Sequence, residues 1–443
     1  MISRSRLRPR RPRGGLWENA DFLRLWSAQT IAQLGSQVTN LALPLAAILV
    51  LEASAFEVAL VGTMTMLPFL LLTLPAGVWV DRLRRRPILI AADLGRAVAL
   101  LSLPAAYAAG VLTLWQLYAV AFVHGALTVC FDVSYQSYLP ALVGRRQLVD
   151  GNAKLEISRS GAQVAGPGVG GALVELVTAP FAILLDALAL VGSALFLLRI
   201  RREEPVPERE PGSTRSMRRE LVEGLRYVVR DPYIRGMAAS TAWFNLGTSA
   251  VGAVLLVYAV RSLELTAGTI GVVFMLGNVG AIAAAVLARK LIGHFPVGKV
   301  IVLGSAGGAG MLLIPAAPQA FPIPFLVASQ IVVAFGVVLY NTGAISVMQA
   351  ITPDRLLGRM NASRRFVVWG VIPLGSLAGG ALASAWGLRE ALWVGAGVTA
   401  LGFLPLVLSP VRSLVDVPEG EDEEPPVALA TPNPVTVPPP ADA

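Results

Sequence analysis

Charge and sulfur are both scarce in this chain. Only 14% of its 443 residues are charged, where an ordinary soluble domain carries roughly 25%. That shortage argues against a soluble enzyme. One cysteine, Cys130, excludes a disulfide within the chain and any cysteine-rich metal site, and two histidines, His124 and His294, are too few for a zinc cluster. No G-x-x-x-x-G-K-S/T phosphate loop occurs: Gly298-Lys299 is followed by Val300 and lacks the upstream glycine, so ATP is not the expected energy source. Nor does any nucleophile, base and orienting acid stand out. The expectation is therefore no cofactor, no metal and no enzymatic activity.

Apolar residues are abundant instead, at 55% of the chain, with a mean hydropathy of +0.66. They arrive in runs of about 18 to 25, the length that crosses a ~30 Å hydrocarbon layer as helix. Twelve such segments begin near residues 23, 57, 88, 113, 157, 180, 234, 268, 299, 324, 365 and 390. The net charge of +8 is explained by a bilayer rather than by nucleic acid, because the basic residues fall on one side of the segments. With both termini cytoplasmic, the inner stretches hold Arg4 to Arg13, Arg82 to Arg86, Arg145, Arg146, Lys154, Arg159, the run from Arg199 to Arg235, Arg289, Lys290, Lys299, Arg355, Arg359, Arg364, Arg365 and Arg412. The outer loops hold only Arg261 and Arg389. This predicts a multi-pass protein of the cytoplasmic (inner) membrane, its partners the lipid bilayer and not nucleic acid.

The arginine-rich start reads as a cytoplasmic anchor, since Leu16 to Leu51 is too long for a signal core and no A-x-A-like cleavage site follows. The expected division is a basic tail over 1–21, a six-helix bundle over 22–200, a charged central loop over 201–232, a second six-helix bundle over 233–410 and a disordered cytoplasmic tail over 411–443. Within the loop, Met217, Leu221, Leu225, Val228 and Val229 recur at helical spacing beside charged residues. That pattern fits a helix lying along the inner membrane face or one packed on the ends of the bundle.

A constant shift of 209 residues aligns the two halves. Arg146 falls on Arg355, Asn152 on Asn361, Gly161 on Gly370, Gly166 on Gly375 and Gly170-Gly171-Ala172-Leu173 on Gly379-Gly380-Ala381-Leu382; the same shift puts Gly62 on Gly271 and Met66 on Met275. One register kept through so many glycines indicates duplication of a six-helix unit. Repeats of this kind are one design for alternating access.

The loop after the second span reads Gly77-Val78-Trp79-Val80-Asp81-Arg82-Leu83-Arg84-Arg85-Arg86-Pro87. It resembles motif A of the major facilitator superfamily, with Arg84 where many members have glycine. The fifth span, Gly161-Ala162-Gln163-Val164-Ala165-Gly166-Pro167-Gly168-Val169-Gly170-Gly171, resembles motif C of the antiporter branches. With the surrounding stretches, residues 20 to 410 resemble the multidrug and siderophore exporters of the third drug:proton antiporter group. The resemblance implies an all-α membrane protein of twelve transmembrane helices in two pseudo-symmetric six-helix bundles, working as a monomer. It also implies that Asp81 caps a helix of the opposite half and latches the inner side, supported by Gly77, Arg82, Arg85 and Arg86. Motif C (Gly161, Gly166, Pro167, Gly170, Gly171) would seal the cavity, or alternatively serve small-residue packing alone.

Polar residues inside spans need a cavity or a partner, because a charge at the bilayer centre costs ~2.5 to 3.5 kcal/mol on insertion scales. Gln29, Gln33, Gln37 and Asn40 share one helix face, as do His124, Thr128, Asp132 and Tyr135. These two stripes should face a common polar interior, with Asn245, Ser249 and Asn341 as the opposite wall. Asp132 is a candidate for proton coupling or for an ion pair with Arg159 or Arg96; His124 can titrate or simply bond within the helix bundle. Asp93 and Arg96, three apart, should neutralise each other; Asp93 and Asp186 join Asp132 as coupling candidates. The expected activity is export of a small organic molecule in exchange for protons. One charge crossing ~100 mV supplies ~2.3 kcal/mol, roughly a fifty-fold solute gradient. A lipid or lysophospholipid flippase on the same scaffold is the alternative, and a non-transporting receptor the third reading.

Overall fold

The computed structural model describes residues 15–80, 83–144, 147–202, 204 and 217–417. The chain folds into helices α1 (Ala20–Leu49), α2 (Ala55–Val80), α3 (Arg85–Ala108), α4 (Leu114–Val143), α5 (Leu148–Val177), α6 (Ala179–Leu198), α7 (Met217–Arg230), α8 (Pro232–Arg261) and α9 (Ala267–His294). They are followed by α10 (Val297–Ala306), α11 (Leu313–Ala316), α12 (Ile323–Ile351), α13 (Asp354–Trp386), α14 (Leu388–Ala400) and α15 (Leu404–Val407). Side chains close several of the starts. Asn19 accepts from the N–H groups of Asp21 and Phe22 at 3.0 and 3.1 Å, and Asp231 from those of Tyr233 and Ile234 at 2.9 and 2.8 Å. Each cap satisfies donors that an uncapped first turn leaves bare.

Among the described residues, eleven helical segments are long and apolar enough to cross a membrane: α1 to α4, α6, α8, α9, α10 continued to Ala316, α12, α13, and α14 continued to Val407. The twelfth crossing is α5. Its 30 residues suffice in length, but Asp150, Lys154, Glu156 and Arg159 charge its first half and glycines dilute the rest, so it owes its place to packing rather than to hydropathy.

Helices α1 to α6 form one bundle and α8 to α15 the other, with α5 laid against α9 and α2 against α13 where the two meet. The ends of the molecule are named by the chain: proximal where α1 begins, distal where α1 turns into α2. The duplication shows in the backbone. Thr178 and Gly387, 209 residues apart, both take positive φ (77° and 107°) at the distal turn of their half, and each N–H closes on the carbonyl four residues back, Val174 at 3.0 Å and Ala383 at 3.1 Å. The turns after α1 and α8 also match. Glu52 and Glu264 have φ of 51° and 52°, and Ala53 and Leu265 each donate to a carbonyl six residues back, at 2.9 Å.

This second pair is 212 residues apart, not 209, which corrects the alignment of Gly62 with Gly271 and Met66 with Met275. Ala59 is the counterpart of Gly271. A three-residue slip is nearly one helical turn and keeps the same face aligned, so the sequence pattern alone could not expose it.

Of the two expectations for the central segment, the structure shows contact with the bundle. Gly224 on α7 lies against the Arg359 backbone of α13, Arg359 pairs with Glu223 at 3.0 Å, and the Tyr227 hydroxyl donates to the Ile351 carbonyl at 3.2 Å. The packed chain runs beyond 410: Val411 is buried, and the N–H groups of Val297 and Gly298 donate to the carbonyls of Val415 and Leu414 at 2.9 and 3.0 Å. Residues 418–443 of the expected disordered tail, and residues 1–14, lie outside the described residues.

Candidate transport cavity and its seals

A cavity of about 290 Å³ lies between the halves. Thr39, Asn40, Leu43 and Pro44 of α1, Val58, Val61, Gly62, Thr65 and Met66 of α2, and His124 of α4 form one wall; Ser249, Gly252, Ala253 and Leu256 of α8 with Ile372 and Ser376 of α13 form the other. The lining carries hydroxyls, one amide and one imidazole, and no formal charge. His124 is buried in the wall with Nε2 lacking a hydrogen-bond partner.

The halves close over this cavity at the distal end. The Arg261 guanidinium donates to the Ala53 carbonyl at 2.8 Å, while a Glu175 oxygen accepts from the Thr266 hydroxyl at 2.9 Å and the Gly268 N–H at 2.8 Å. Deeper in, the Ser376 hydroxyl donates to the Ala59 carbonyl at 3.0 Å, and the Asn278 amide donates to the Gln163 carbonyl at 3.0 Å. That last bond lies near mid-helix. Beyond it, α4 and α12 are not packed together, and a Cβ on Gly161 would meet nothing within 4 Å. The cavity is shut distally and open proximally.

Gly166, Gly170 and Gly171 of motif C pack closely on two faces of α5, whereas a Cβ on Gly161 would meet nothing within 4 Å. Gly166 and Gly170 lie against Gln37 and Val38 of α1, so closely that a Cβ on Gly170 would come within 3.2 Å of the Val38 Cα, while Gly168 and Gly171 lie against Met275, Ala267 and Gly271 of α9. Pro167 has its carbonyl against Gly271. At Gly171 and Gly271 an added Cβ would fall 2.4 Å from a facing backbone carbonyl, so no larger residue fits there without moving the backbone.

The remaining expected residues are spread more widely. Gln29 is buried with Nε2 unpartnered, Gln33 is half-buried, and Asn40 alone of its stripe reaches the cavity. The Thr128 hydroxyl donates to the His124 carbonyl at 2.8 Å and accepts from Arg96 at 3.4 Å. Tyr135 stacks on Phe131 with centroids 6.3 Å apart. Asn245 and Asn341 line a separate pocket of about 90 Å³ inside the second half, with Ser240, Thr241, Ser305 and Tyr340; Asn245 also donates to the Val368 carbonyl at 2.9 Å. Thr65, Met66 and Ser376, on helices that the polar stripes did not single out, complete the central cavity. Thr65 and Ser376 carry no sequence signal beyond a small hydroxyl within an apolar run, and Met66 stands out only in the repeat alignment.

Asp93 is paired with Arg96 and accepts from the Ser193 hydroxyl at 2.6 Å. Arg96 also lies over the Phe131 ring, 4.7 Å from its centroid. Asp132 is exposed on the proximal side and makes no ion pair within 4 Å among the described residues: Arg96 is held by Asp93, and Arg159 by Glu156 at 2.9 Å. Asp186 is fully buried with neither carboxyl oxygen hydrogen-bonded. The fully buried charged residues Asp93, Arg96 and Asp186 all belong to the first half, as does buried His124, while the buried polar residues of the second half are serines and threonines.

In motif A, Asp81 and Arg82 lie outside the described residues, and a Cβ on Gly77 would meet nothing within 4 Å. Arg86 donates to the carbonyls of Leu197 and Leu198 at 3.0 and 2.8 Å, closing the end of α6. Glu204 accepts from the backbone N–H groups of Arg85 and Arg86 at 2.8 and 3.1 Å, at the start of α3. Both contacts place charge where a helix dipole favours it. Among the described residues, no group of three His, Cys, Asp or Glu side chains could hold a metal ion.

Two helical bundles around a shared cavity, sealed at one end, define a membrane transporter of the major facilitator superfamily. The chain belongs to the transmembrane secretion effector family of that superfamily, whose sequence profile matches residues 17–434. It is a transporter of small molecules across a lipid bilayer and not an enzyme. It is 28% identical over 411 residues to the multidrug efflux pump Tap of Mycolicibacterium fortuitum, covering 89% of this chain and 96% of that one. It is 25% identical over 214 residues to the uncharacterized MFS-type transporter YfiS of Bacillus subtilis, a match that spans 48% of this chain and 50% of the relative. Among solved structures, a bacterial homologue of the iron transporter ferroportin in its inward-facing state superposes with a TM-score of 0.70 at 16% identity, covering 88% of this chain and 98% of that one. The outward-facing state of a bacterial ferroportin homologue gives 0.56.

Proposed function

We propose that the chain exports a neutral or amphiphilic organic molecule from the cytoplasm across the inner membrane in exchange for protons. It works as a monomer by alternating access, with both termini cytoplasmic. The observation that carries the reading is the central cavity, uncharged and mostly apolar in its lining with a few hydroxyls, one amide and one imidazole, and bridged at its distal end by hydrogen bonds between the halves. With the basic loops cytoplasmic, its open mouth faces the cytoplasm, as the loading state of an exporter requires. Likeness to the multidrug efflux pump Tap supports export of organic compounds. Asp132, Asp93 and Asp186 are the carboxyls available for coupling, and Asp81 would latch the cytoplasmic side after closure.

Inverted membrane vesicles containing the protein test this with the lipophilic dye Hoechst 33342. Energised vesicles should take up the dye, and an uncoupler should abolish the uptake. Uptake that an uncoupler leaves unchanged overturns the proton coupling. Movement of fluorescent lysophospholipid without dye transport would instead identify a flippase.

A further inference from the structure

Resting on that reading, the structure singles out one of the three carboxyls. Asp93 is neutralised by Arg96 and Ser193, and Asp132 stands in the open proximal mouth. Asp186 on α6 is different, since it is sealed from solvent with both oxygens unpartnered. Its carboxyl fills the space where Gly35 of α1 has no side chain: a Cβ there would collide with Oδ1. Arg96 and Asp93, both on α3, are the charged groups that face it, while α5 adds none. Within α1 the Thr39 hydroxyl faces it, itself buried and without a hydrogen-bond partner. Thr39 is also part of the wall of the central cavity.

A carboxylate sealed from water with neither oxygen hydrogen-bonded is costly to keep charged. The segment of α1 from Gly35 to Thr39 separates it from two things at once. Through Thr39 it borders the cavity, and through Gln37 and Val38 it presses on Gly166 and Gly170 of α5, whose other face meets α9 of the opposite half.

We propose that Asp186 is the proton-carrying carboxyl of the transport cycle, and that the wedge of α1 between Gly35 and Thr39 passes its protonation state to the α5–α9 seal. A proton from cavity water joins the Thr39 oxygen as the threonine's own hydrogen passes to an Asp186 oxygen; the reverse sequence returns it, leaving the threonine unchanged. When the proton leaves, the new carboxylate draws water or the Thr39 hydroxyl toward itself. Room for either must come from movement of α1, and with it of the glycines that lean on α1.

Infrared spectra of the purified protein and of Asp186→Asn test the site without any substrate. The wild type should show the C=O band of a protonated acid that is lost in the variant. In liposomes, Asp186→Asn should lose proton-driven accumulation of Hoechst 33342 while keeping dye exchange in the absence of a gradient. A carbodiimide, which modifies buried protonated carboxyls, should label the wild type at residue 186 when mapped by mass spectrometry, a readout that needs no variant to fold. An unchanged infrared band in the variant, a wild-type label absent from residue 186, or undiminished proton-driven uptake by Asp186→Asn each overturns the proposal. A wild type that carries the band and the label but shows no proton-driven uptake overturns the export reading instead and leaves the proton site standing.

Discussion

Gly171 of α5 and Gly271 of α9 face each other across the distal seal so closely that a Cβ on Gly171 would lie 2.9 Å from the Gly271 Cα, and one on Gly271 3.0 Å from the Gly171 Cα. Overpacking a close contact typically costs about 1 to 3 kcal/mol. Gly171→Ala should therefore disfavour the distally closed form and raise the population open at that end. Spin labels at Leu176→Cys and Phe321→Cys report it, in a background freed of the single cysteine by Cys130→Ser. The expected result is a longer distance component that grows in the glycine variant. An unchanged distance distribution means that this contact does not set the equilibrium.

The open proximal mouth predicts sidedness. Gly161→Cys in the same background should react with a membrane-impermeant maleimide in inverted vesicles and not in intact cells. Reaction from the outside alone would reverse the orientation drawn from the arginines.

Asn40 projects into the cavity from a helix whose packing lies on its other faces. Asn40→Trp should fill much of the space, abolish dye binding and leave the melting temperature close to that of the wild type. Retained binding would move the substrate site elsewhere, the smaller pocket beside Asn245 and Asn341 being the first place to look.

Arg86 makes two hydrogen bonds to the last carbonyls of α6, and bonds involving a charged group contribute about 1.5 to 3 kcal/mol. Arg86→Ala should lower the melting temperature, and Arg86→Lys should recover part of the loss. The amount of folded protein would then account for any fall in transport. Transport lost at unchanged melting temperature would instead give Arg86 a part in the gate that its motif implies.

Much of the architecture is legible in the sequence because a bilayer imposes a coarse, one-dimensional test. Runs of apolar residues and the side on which arginines collect mark the spans without reference to neighbours. α5 is marked less by hydropathy than by its glycines, since close packing and apolar character are different demands. The site is harder to read. Asn40 and His124 stand out by helical spacing, but Thr65 and Ser376 reach the same cavity from α2 and α13 without belonging to either stripe, and Asn245 turns to the Val368 carbonyl instead. Helical spacing says which residues share a face, not which helix lies opposite. The isolation of Asp186 is of that kind: Gly35, 151 positions earlier, makes the space it occupies, and no local pattern links the two.

The two bundles repeat one another in backbone, down to the matched turns at Thr178 and Gly387, yet among the described residues the buried aspartates, arginine and histidine all lie in the first. On the proposed cycle the proton acts inside the first half, and the second half feels it as a change of shape at the seam the two share.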